Sequence, residues 1–284
     1  YSFKKIDIRN KKKLLKIILD FSPNKIFHLA AESHVDRSIE NPDSFLTSNI
    51  IGTFNLLENS RLFLLNKQKN NKNFKIIHIS TDEVYGSLSL KEKPFKESNK
   101  FLPNSPYAAS KASSDLLCRA WFKTFNLPVI VTNCSNNYGP WQYPEKLIPV
   151  VIKKILKNKK IPIYGNGKNI RDWIHVEDHI NALIMISNKG KIGETYNIGG
   201  DNEINNLNLV KNICAITDKI KSYKISSKNL ISFVDDRLGH DFRYSIESRK
   251  LKNKLNYKCK IVFNKGLYQT VNWYINNEKW LLKK

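Results

Sequence analysis

The chain has 284 residues, is 41% hydrophobic and carries a formal net charge of +23, so it is a globular chain long enough for two modest domains around a shared cleft. Its apolar run from Leu14 to Leu19 is interrupted by Lys16 and is far shorter than the roughly 18 residues of a membrane-spanning helix, so we expect no membrane partner. The lysines are spread over every segment and arginine is scarce, which favours a solvated lysine-rich surface over a nucleic-acid partner.

The first half of the chain alternates predicted strands and helices. In chain order the pattern predicts a strand at 3–8, a helix at 12–21, a strand at 25–30, a long helix at 42–65, a polar loop at 66–73, a strand at 74–80, a helix at 105–125 and a strand at 128–133. Apolar strands separated by helices indicate a parallel sheet covered on both faces. We therefore predict an α/β fold with a doubly wound, Rossmann-like sheet.

The regular alternation of predicted strands and helices ends after about Tyr138. Helices are predicted at 146–158, 176–187, 206–218 and 265–280, and a turn-rich segment at 162–169. We predict a dinucleotide-binding domain at 1–140 and a smaller, mixed α/β domain at 141–284, from which some segments return to the first domain.

A glycine-rich turn is missing from the sequence. In a doubly wound domain the central first strand leads into such a turn, whose backbone N–H groups hold a pyrophosphate. No G-x-G-x-x-G or G-x-x-G-x-x-G occurs, the first glycine is Gly52, and the chain begins with Tyr1. We therefore expect a fragment that lacks the first strand, first helix and second strand of the sheet, and we expect this 284-residue polypeptide to be inactive.

An acidic pair follows one of the predicted strands. Residues 80–86 read STDEVYG directly after the apolar run that ends at Ile79, a position where open α/β sheets bind ligands. The adjacent carboxylates of Asp82 and Glu83 repel each other, which raises one pKa and separates their roles into acid and base. The alternative is a surface loop in which the pair helps to cap a turn.

A tyrosine and a lysine lie four residues apart on the predicted helix at 105–125. Tyr107 and Lys111 therefore face the same side of that helix. A neighbouring ammonium group is expected to lower the pKa of the phenol and to make it a usable base. The alternative is an ordinary surface pair, since this spacing is common in helices.

The cysteines and histidines favour neither disulfides nor metal. Cys118, Cys134, Cys214 and Cys259 are far apart and form no C-x-x-C pair, which suits reduced thiols in a reducing compartment. The sequence also lacks a secretory signal pattern, so we predict a cytoplasmic location. No metal site is predicted.

These segments together resemble the extended short-chain dehydrogenase/reductase family and, within it, the dTDP-glucose 4,6-dehydratases. The resemblance runs nearly from end to end of the chain. It is carried by residues 28–36 (HLAAESHVD), 80–86 (STDEVYG), 107–111 (YAASK), 136–140 (NNYGP), 144–146 (PEK), 171–173 (RDW), 196–199 (YNIG) and 236–241 (DRLGHD). The triplet Thr81-Asp82-Glu83 is the most specific of these features, because epimerases and decarboxylases of the family usually lack the acidic pair.

The resemblance implies a mechanism that uses bound NAD as a catalyst. Tyr107, assisted by Lys111, would take the proton of the C4 hydroxyl while hydride leaves C4, and Thr81 would bind the C4 oxygen. Glu83 would then remove the C5 proton, Asp82 would protonate the departing C6 hydroxyl, and hydride would return to C6. The implied product is dTDP-4-keto-6-deoxyglucose, for dTDP-rhamnose or related deoxysugar synthesis.

The resemblance also implies binding residues and a homodimer. The implied cofactor-binding residues are Asp7, Ile8, Ala30, Ala31, Asn49, Tyr107, Lys111 and Asn136. The implied substrate-binding residues are Ser33, Thr81, Asn137, Glu145, Lys146, Arg171, Asn206, Arg237 and His240. The helices at 42–65 and 105–125 are long enough to pair across a two-fold axis, as in the dimers of the family.

Two other functions remain open at this point. A UDP-sugar epimerase or decarboxylase of the same family would need only Tyr107, Lys111 and NAD. A nucleotide-sugar-binding module without catalysis would need none of the acid–base residues.

Overall fold

The computed structural model describes residues 1–66 and 73–283. Most of the polar loop predicted at 66–73 therefore lies outside the described residues. Within the described part of the chain, no helix is both long and apolar enough to cross a membrane.

The described residues form nine strands. They are β1 (Lys25–His28), β2 (Lys75–Thr81), β3 (Val129–Cys134), β4 (Asn136–Tyr138), β5 (Ile161–Tyr164), β6 (Ile170–His175), β7 (Thr195–Ile198), β8 (Glu203–Asn205) and β9 (Ile231–Val234).

The same residues form eleven α-helices and three helical segments of other types. The α-helices are α1 (Lys11–Phe21), α2 (Val35–Glu40), α3 (Pro42–Phe45), α4 (Gly52–Asn66), α5 (Pro106–Phe125), α6 (Leu147–Leu156), α7 (Val176–Lys189), α8 (Asn206–Lys221), α9 (Arg249–Leu255), α10 (Phe263–Asn276) and α11 (Glu278–Lys283). The other three are a π-helical segment at Leu46–Ile51 and 3₁₀ turns at Asp82–Tyr85 and Ser227–Leu230.

A parallel sheet in the order β1-β2-β3-β7 organises one half of the molecule. Helices α1, α4 and α5 pack on one face through Leu14, Leu56 and Cys118, which meet Ile76 of β2. Helices α7 and α9 pack on the other face, where Leu183 and Leu251 belong to one apolar cluster with Ile77, Ile130 and Tyr196. A sheet buried on both faces accounts for the apolar runs in its strands, and the predicted doubly wound α/β fold is confirmed.

The second half is a mixed arrangement built around another apolar cluster. Helices α6, α8 and α10 enclose it through side chains such as Ile152, Ile213 and Val271. Two small sheets flank it, one in the order β4-β6-β8 and one in which β5 pairs in parallel with β9.

The strand predicted at 3–8 is wrong, because this segment is irregular. A strand needs a neighbour for its backbone N–H and C=O groups, and none of the described strands pairs with it. Its end is held by other means. The Asn55 amide of α4 donates to the carbonyl oxygens of Ile8 and Arg9 at 3.2 and 3.1 Å, and Ile8 occupies the space in which a Cβ of Gly52 would lie.

The helix predicted at 42–65 is confirmed as an uninterrupted helical run of α3, the π-helical segment and α4. The helix predicted at 265–280 is divided, since α10 ends at Asn276 before α11 begins. The segment predicted as turn-rich at 162–169 starts as β5 and becomes a turn only after Tyr164. The other predicted helices and strands are present with shifts at their ends.

Candidate active site

A cavity of about 770 Å³ opens at the carboxyl ends of β2 and β3. Its wall combines Thr81 at the end of β2, Tyr107 of α5, Arg171 of β6 and Arg237, which follows β9. A volume of this size suits a small-molecule ligand, and the carboxyl edge of a parallel sheet is where such ligands bind.

A tight turn places both acids on this cavity. Thr81 ends β2 in extended conformation, and its Oγ1 accepts a hydrogen bond from the backbone N–H of Glu83 at 3.3 Å, which starts the 3₁₀ turn. Tyr85 anchors the other end of the turn, since its buried hydroxyl donates to Oδ1 of Asn197 at 2.9 Å. As a result Asp82 and Glu83 both line the cavity, and the surface-loop alternative does not hold.

Asp82 is placed as a proton donor. Burial, followed by the negative charges of Glu83 and Asp172, raises the pKa of Asp82 well above its ordinary value. Its Oδ2 is buried without a hydrogen-bond partner in the described part of the chain. The Thr81 hydroxyl donates to Oδ1 at 3.3 Å, but this bond and the charge of Arg171 do not offset burial and the neighbouring negative charges. The carboxyl group of Asp82 therefore favours its neutral form, which is the form that gives up a proton.

Glu83 lies in a more cationic environment. Burial raises its pKa too, but the charges of Arg237, Arg171 and Lys146 oppose that rise. Because nearby cations favour a carboxylate, Glu83 is better suited than Asp82 to accept a proton. The surroundings therefore favour a neutral Asp82, which can act as an acid, and an ionised Glu83, which can act as a base.

Tyr107 and Lys111 lie on the first two turns of α5. Ser105 caps this helix by accepting from the backbone N–H of Ala108 at 3.1 Å, and Pro106 occupies its first position. Both Tyr107 and Lys111 line the cavity, and the Lys111 ammonium donates to the carbonyl oxygen of Ile79 at 2.8 Å.

The prediction that Lys111 lowers the pKa of Tyr107 is wrong in this arrangement. Burial, followed by the charge of Glu83, raises the pKa of the Tyr107 phenol well above its ordinary value. The Lys111 ammonium is directed at a backbone carbonyl instead. The Thr81 hydroxyl lowers the pKa of Tyr107 without offsetting that rise, so positive charge that a ligand brings beside the ring would further help loss of the phenol proton.

Three cationic groups near Glu83 also line the cavity. Arg171 is buried, and its guanidinium carbon lies 4.1 Å from the centroid of the Tyr244 ring. Arg237 lies 3.7 Å from Asp36 of α2, and the Lys146 ammonium donates to the carbonyl oxygen of Ser33 at 2.5 Å. The planar guanidinium groups of arginine and the ammonium group of lysine are suited to bind the oxygens of a diphosphate.

Most of the predicted site residues share this cavity. Its lining includes every predicted catalytic residue and the following predicted binding residues: Ala31, Ser33, Asn136, Asn137, Glu145, Lys146, Arg171, Asn206, Arg237 and His240.

Four predicted cofactor-binding residues lie outside the cavity lining. Asp7 is exposed and pairs with Arg9, Ile8 packs against α4, and Ala30 is exposed just after β1. Asn49 is buried, and its amide group bonds to both the backbone N–H and the carbonyl oxygen of Glu32. Asn49 therefore holds the chain that follows β1, and the role of these four residues in binding NAD stays a prediction.

Sequence reasoning missed Tyr244 and His179, which also line the cavity. The Tyr244 hydroxyl lies 3.4 Å from Oε2 of Glu83, and Nδ1 of His179 lies 2.8 Å from Oδ1 of Asn137. Neither residue has a sequence pattern of its own. The available signal was position, since Tyr244 follows the motif at 236–241 and His179 follows the one at 171–173.

The sequence matches known proteins along nearly its whole length. A sequence model of the GDP-mannose 4,6 dehydratase family matches residues 1–270. A dTDP-glucose 4,6-dehydratase of Neisseria meningitidis serogroup B is 47% identical over 285 residues, which cover 99% of this chain and 80% of that protein. The chain belongs to the dTDP-glucose 4,6-dehydratase family. The resemblance inferred from the motifs is thereby confirmed.

Solved structures of this dehydratase family have the same fold. The enzyme from Streptomyces venezuelae, solved with NAD and TYD bound, superposes with a TM-score of 0.87 at 39% identity, covering 97% of this chain and 80% of that one. The enzyme from Bacillus anthracis, solved in complex with NAD, gives a TM-score of 0.85 at 44% identity, covering 99% and 81% of the two chains.

Proposed function

We propose that this chain catalyses the NAD-dependent dehydration of dTDP-glucose to dTDP-4-keto-6-deoxyglucose. The observation that carries the proposal is the presence of Asp82 and Glu83 on the same cavity as Tyr107 and Lys111. A UDP-sugar epimerase does not need the acids Asp82 and Glu83. A binding module needs neither these acids nor the pair of Tyr107 and Lys111. Membership of the dTDP-glucose 4,6-dehydratase family supports the same conclusion.

The cavity fits the reactive end of NAD. When bound, NAD would supply the hydride acceptor for C4 and the hydride donor for C6, and the positive charge of its oxidised ring would favour loss of the Tyr107 proton. Tyr107, Lys111, Ala31 and Asn136 are the lining residues that would hold this end.

The side chains divide the proton transfers among them. Tyr107 takes the proton of the C4 hydroxyl as C4 becomes a ketone, and Thr81 donates a hydrogen bond to that oxygen. The ketone acidifies the C5 hydrogen, which Glu83 removes as a proton. The ketone holds the electrons of the C5–H bond as an enolate until they form a C5–C6 double bond, as the C6 hydroxyl leaves as water with the proton of Asp82. The hydride that NAD would return to C6, together with a proton returned to C5, completes the product.

The cationic side of the cavity supports diphosphate binding. Arg171, Arg237 and Lys146 provide positive charge there, and planar guanidinium groups bind phosphate oxygens in pairs. We assign the neutral and acidic groups around them to the sugar and nucleoside parts of the substrate; these are Ser33, Asn137, Glu145, Asn206 and His240.

Turnover of dTDP-glucose tests the proposal. We expect the full-length protein, supplied with NAD, to convert dTDP-glucose to the 4-keto-6-deoxy product, detected by the absorbance of that product in alkali. UDP-glucose serves as the comparison substrate in a parallel reaction. Formation of UDP-galactose without dehydration would show an epimerase, and binding of dTDP-glucose without turnover would show a binding module.

The cellular setting is also proposed. We place the protein in the cytoplasm, because its four cysteines are free and a reducing compartment keeps thiols unpaired. We assign the product to dTDP-rhamnose or related deoxysugar synthesis. We also propose a division into a dinucleotide-binding domain at 1–140 and a mainly nucleotide-sugar-binding domain at 141–284.

We propose that the protein forms a homodimer through α4 and α5. Leu65 of α4 and Leu116 and Phe125 of α5 are exposed apolar side chains, and burying such surface favours association. We expect light scattering on the full-length protein to give twice the molar mass of one chain. A mass equal to one chain at micromolar concentration would contradict the dimer.

A further inference from the structure

Tyr244 connects the cavity to a second buried acid. Its hydroxyl lies 3.4 Å from Oε2 of Glu83 and 2.5 Å from Oδ2 of Asp241. Only 2% of Tyr244 is exposed, and Asp241 is buried as well. A phenol donates one proton and accepts others, so this hydroxyl is able to donate to Asp241 while it accepts from a protonated Glu83.

Asp241 continues the connection away from the cavity. Its Oδ1 accepts a hydrogen bond from the side-chain amide of Asn104 at 2.6 Å, and Asn104 is exposed in the segment before α5. Asp241 and Asn104 are absent from the cavity lining, whereas Tyr244 and Glu83 belong to it. The series of contacts therefore runs from the cavity through its wall to the molecular surface.

Arg171 holds the Tyr244 ring in this position. Its guanidinium carbon lies 4.1 Å from the ring centroid, and its Nη2 donates to the backbone carbonyl of Asp241 at 2.9 Å. A cation over the face of an aromatic ring is attracted by the π electrons. Burial and the charge of Glu83 also raise the pKa of Tyr244 well above its ordinary value, so the group stays a phenol that carries its proton.

We propose that Tyr244 relays protons between Glu83 and solvent near Asn104 by way of Asp241. The proposal rests on the proposed function, in which Glu83 takes the C5 proton of the substrate. A bound nucleotide sugar occupies the open side of the cavity, so a path through the wall lets the proton exchange while substrate is bound.

The relay conserves protons at each step. Protonated Glu83 gives its proton to the Tyr244 oxygen as the Tyr244 proton passes to the Asp241 carboxylate, and neutral Asp241 then releases a proton to water. Run in reverse, these transfers return a solvent proton to Glu83. That proton is delivered to C5 when hydride reaches C6.

Isotope labelling at C5 tests the relay. The full-length enzyme, with NAD and dTDP-glucose, is allowed to react in D₂O, and borohydride reduction at quenching fixes C5 against later exchange. We expect the wild-type product to carry mostly deuterium at C5. We expect Tyr244→Phe, which keeps the ring over Arg171 but lacks the hydroxyl, to return mostly the original protium. Asp241→Asn, which has no carboxylate to take the proton, should shift the label in the same direction.

A matched control removes another buried phenol. Tyr257→Phe deletes a hydroxyl that donates to the carbonyl oxygen of Asp178 at 2.7 Å and does not line the cavity, so it should keep the wild-type label. Wild-type labelling in both Tyr244→Phe and Asp241→Asn overturns the relay. A folded Tyr244→Phe enzyme that makes no product also overturns it. A relay sets the source of the proton that returns to C5, but Glu83 removes the C5 proton with or without it. Failure of the wild-type enzyme to make product would instead refute the proposed function.

Discussion

Glu83→Gln in the full-length enzyme is expected to stop dehydration of dTDP-glucose while oxidation at C4 continues. The amide has nearly the size of the carboxylate but accepts no proton from C5, and a positioned general base contributes about 10²- to 10⁴-fold to a rate. Tyr107 and Lys111 on α5 are unchanged, so the first proton transfer remains available. We expect bound cofactor to become reduced on adding substrate, with product formation lowered by a factor in that range.

Two measurements separate this result from a damaged fold. The near-ultraviolet absorbance of reduced cofactor reports C4 oxidation, and the alkali absorbance of the 4-keto-6-deoxy product reports elimination. Glu177→Gln makes the same chemical change at an exposed position on α7 outside the cavity, and it should leave both signals unchanged. Product formation by Glu83→Gln at the wild-type rate would show that another group is the base.

The elements predicted best from the sequence are those whose signal is local. The apolar run at 74–80 became β2 with a shift of one residue, and Ser105 and Pro106 start α5 as their backbone preferences require. Both features depend on neighbouring residues alone. The acidic pair at Asp82 and Glu83 was predictable for the same reason, because it directly follows a strand end.

The features that failed depend on partners distant in the chain. The segment at 3–8 has a strand-like composition, but a ladder needs a neighbouring strand, and composition carries no information about one. The expected effect of Lys111 on the pKa of Tyr107 ignored burial and the charge of Glu83, which lies on another element. Tyr244 reaches Glu83 across 161 positions of sequence, a contact that no local pattern marks.

Asp82→Asn is expected to block elimination at a later point than Glu83→Gln does. Asparagine fills the same space, but it has no acidic proton for the departing C6 hydroxyl, so the barrier to C6–O cleavage rises and product formation falls by about 10²- to 10⁴-fold. Glu83 still removes and returns the C5 proton. In D₂O, dTDP-glucose recovered from Asp82→Asn should therefore gain deuterium at C5, whereas that recovered from Glu83→Gln should not.

The pH dependence of the wild-type enzyme follows from the same assignment. Asp82 must be protonated to act, and burial together with Glu83 raises its pKa well above the ordinary carboxyl value. Asp82 is therefore fully protonated below that raised pKa and loses its proton as pH rises through it. Elimination should then fail on the alkaline side, while exchange of the C5 hydrogen with solvent persists. If Asp82→Asn instead abolished C5 exchange and Glu83→Gln preserved it, the two acids would have the opposite roles, and the cations around Glu83 would not be what selects the base.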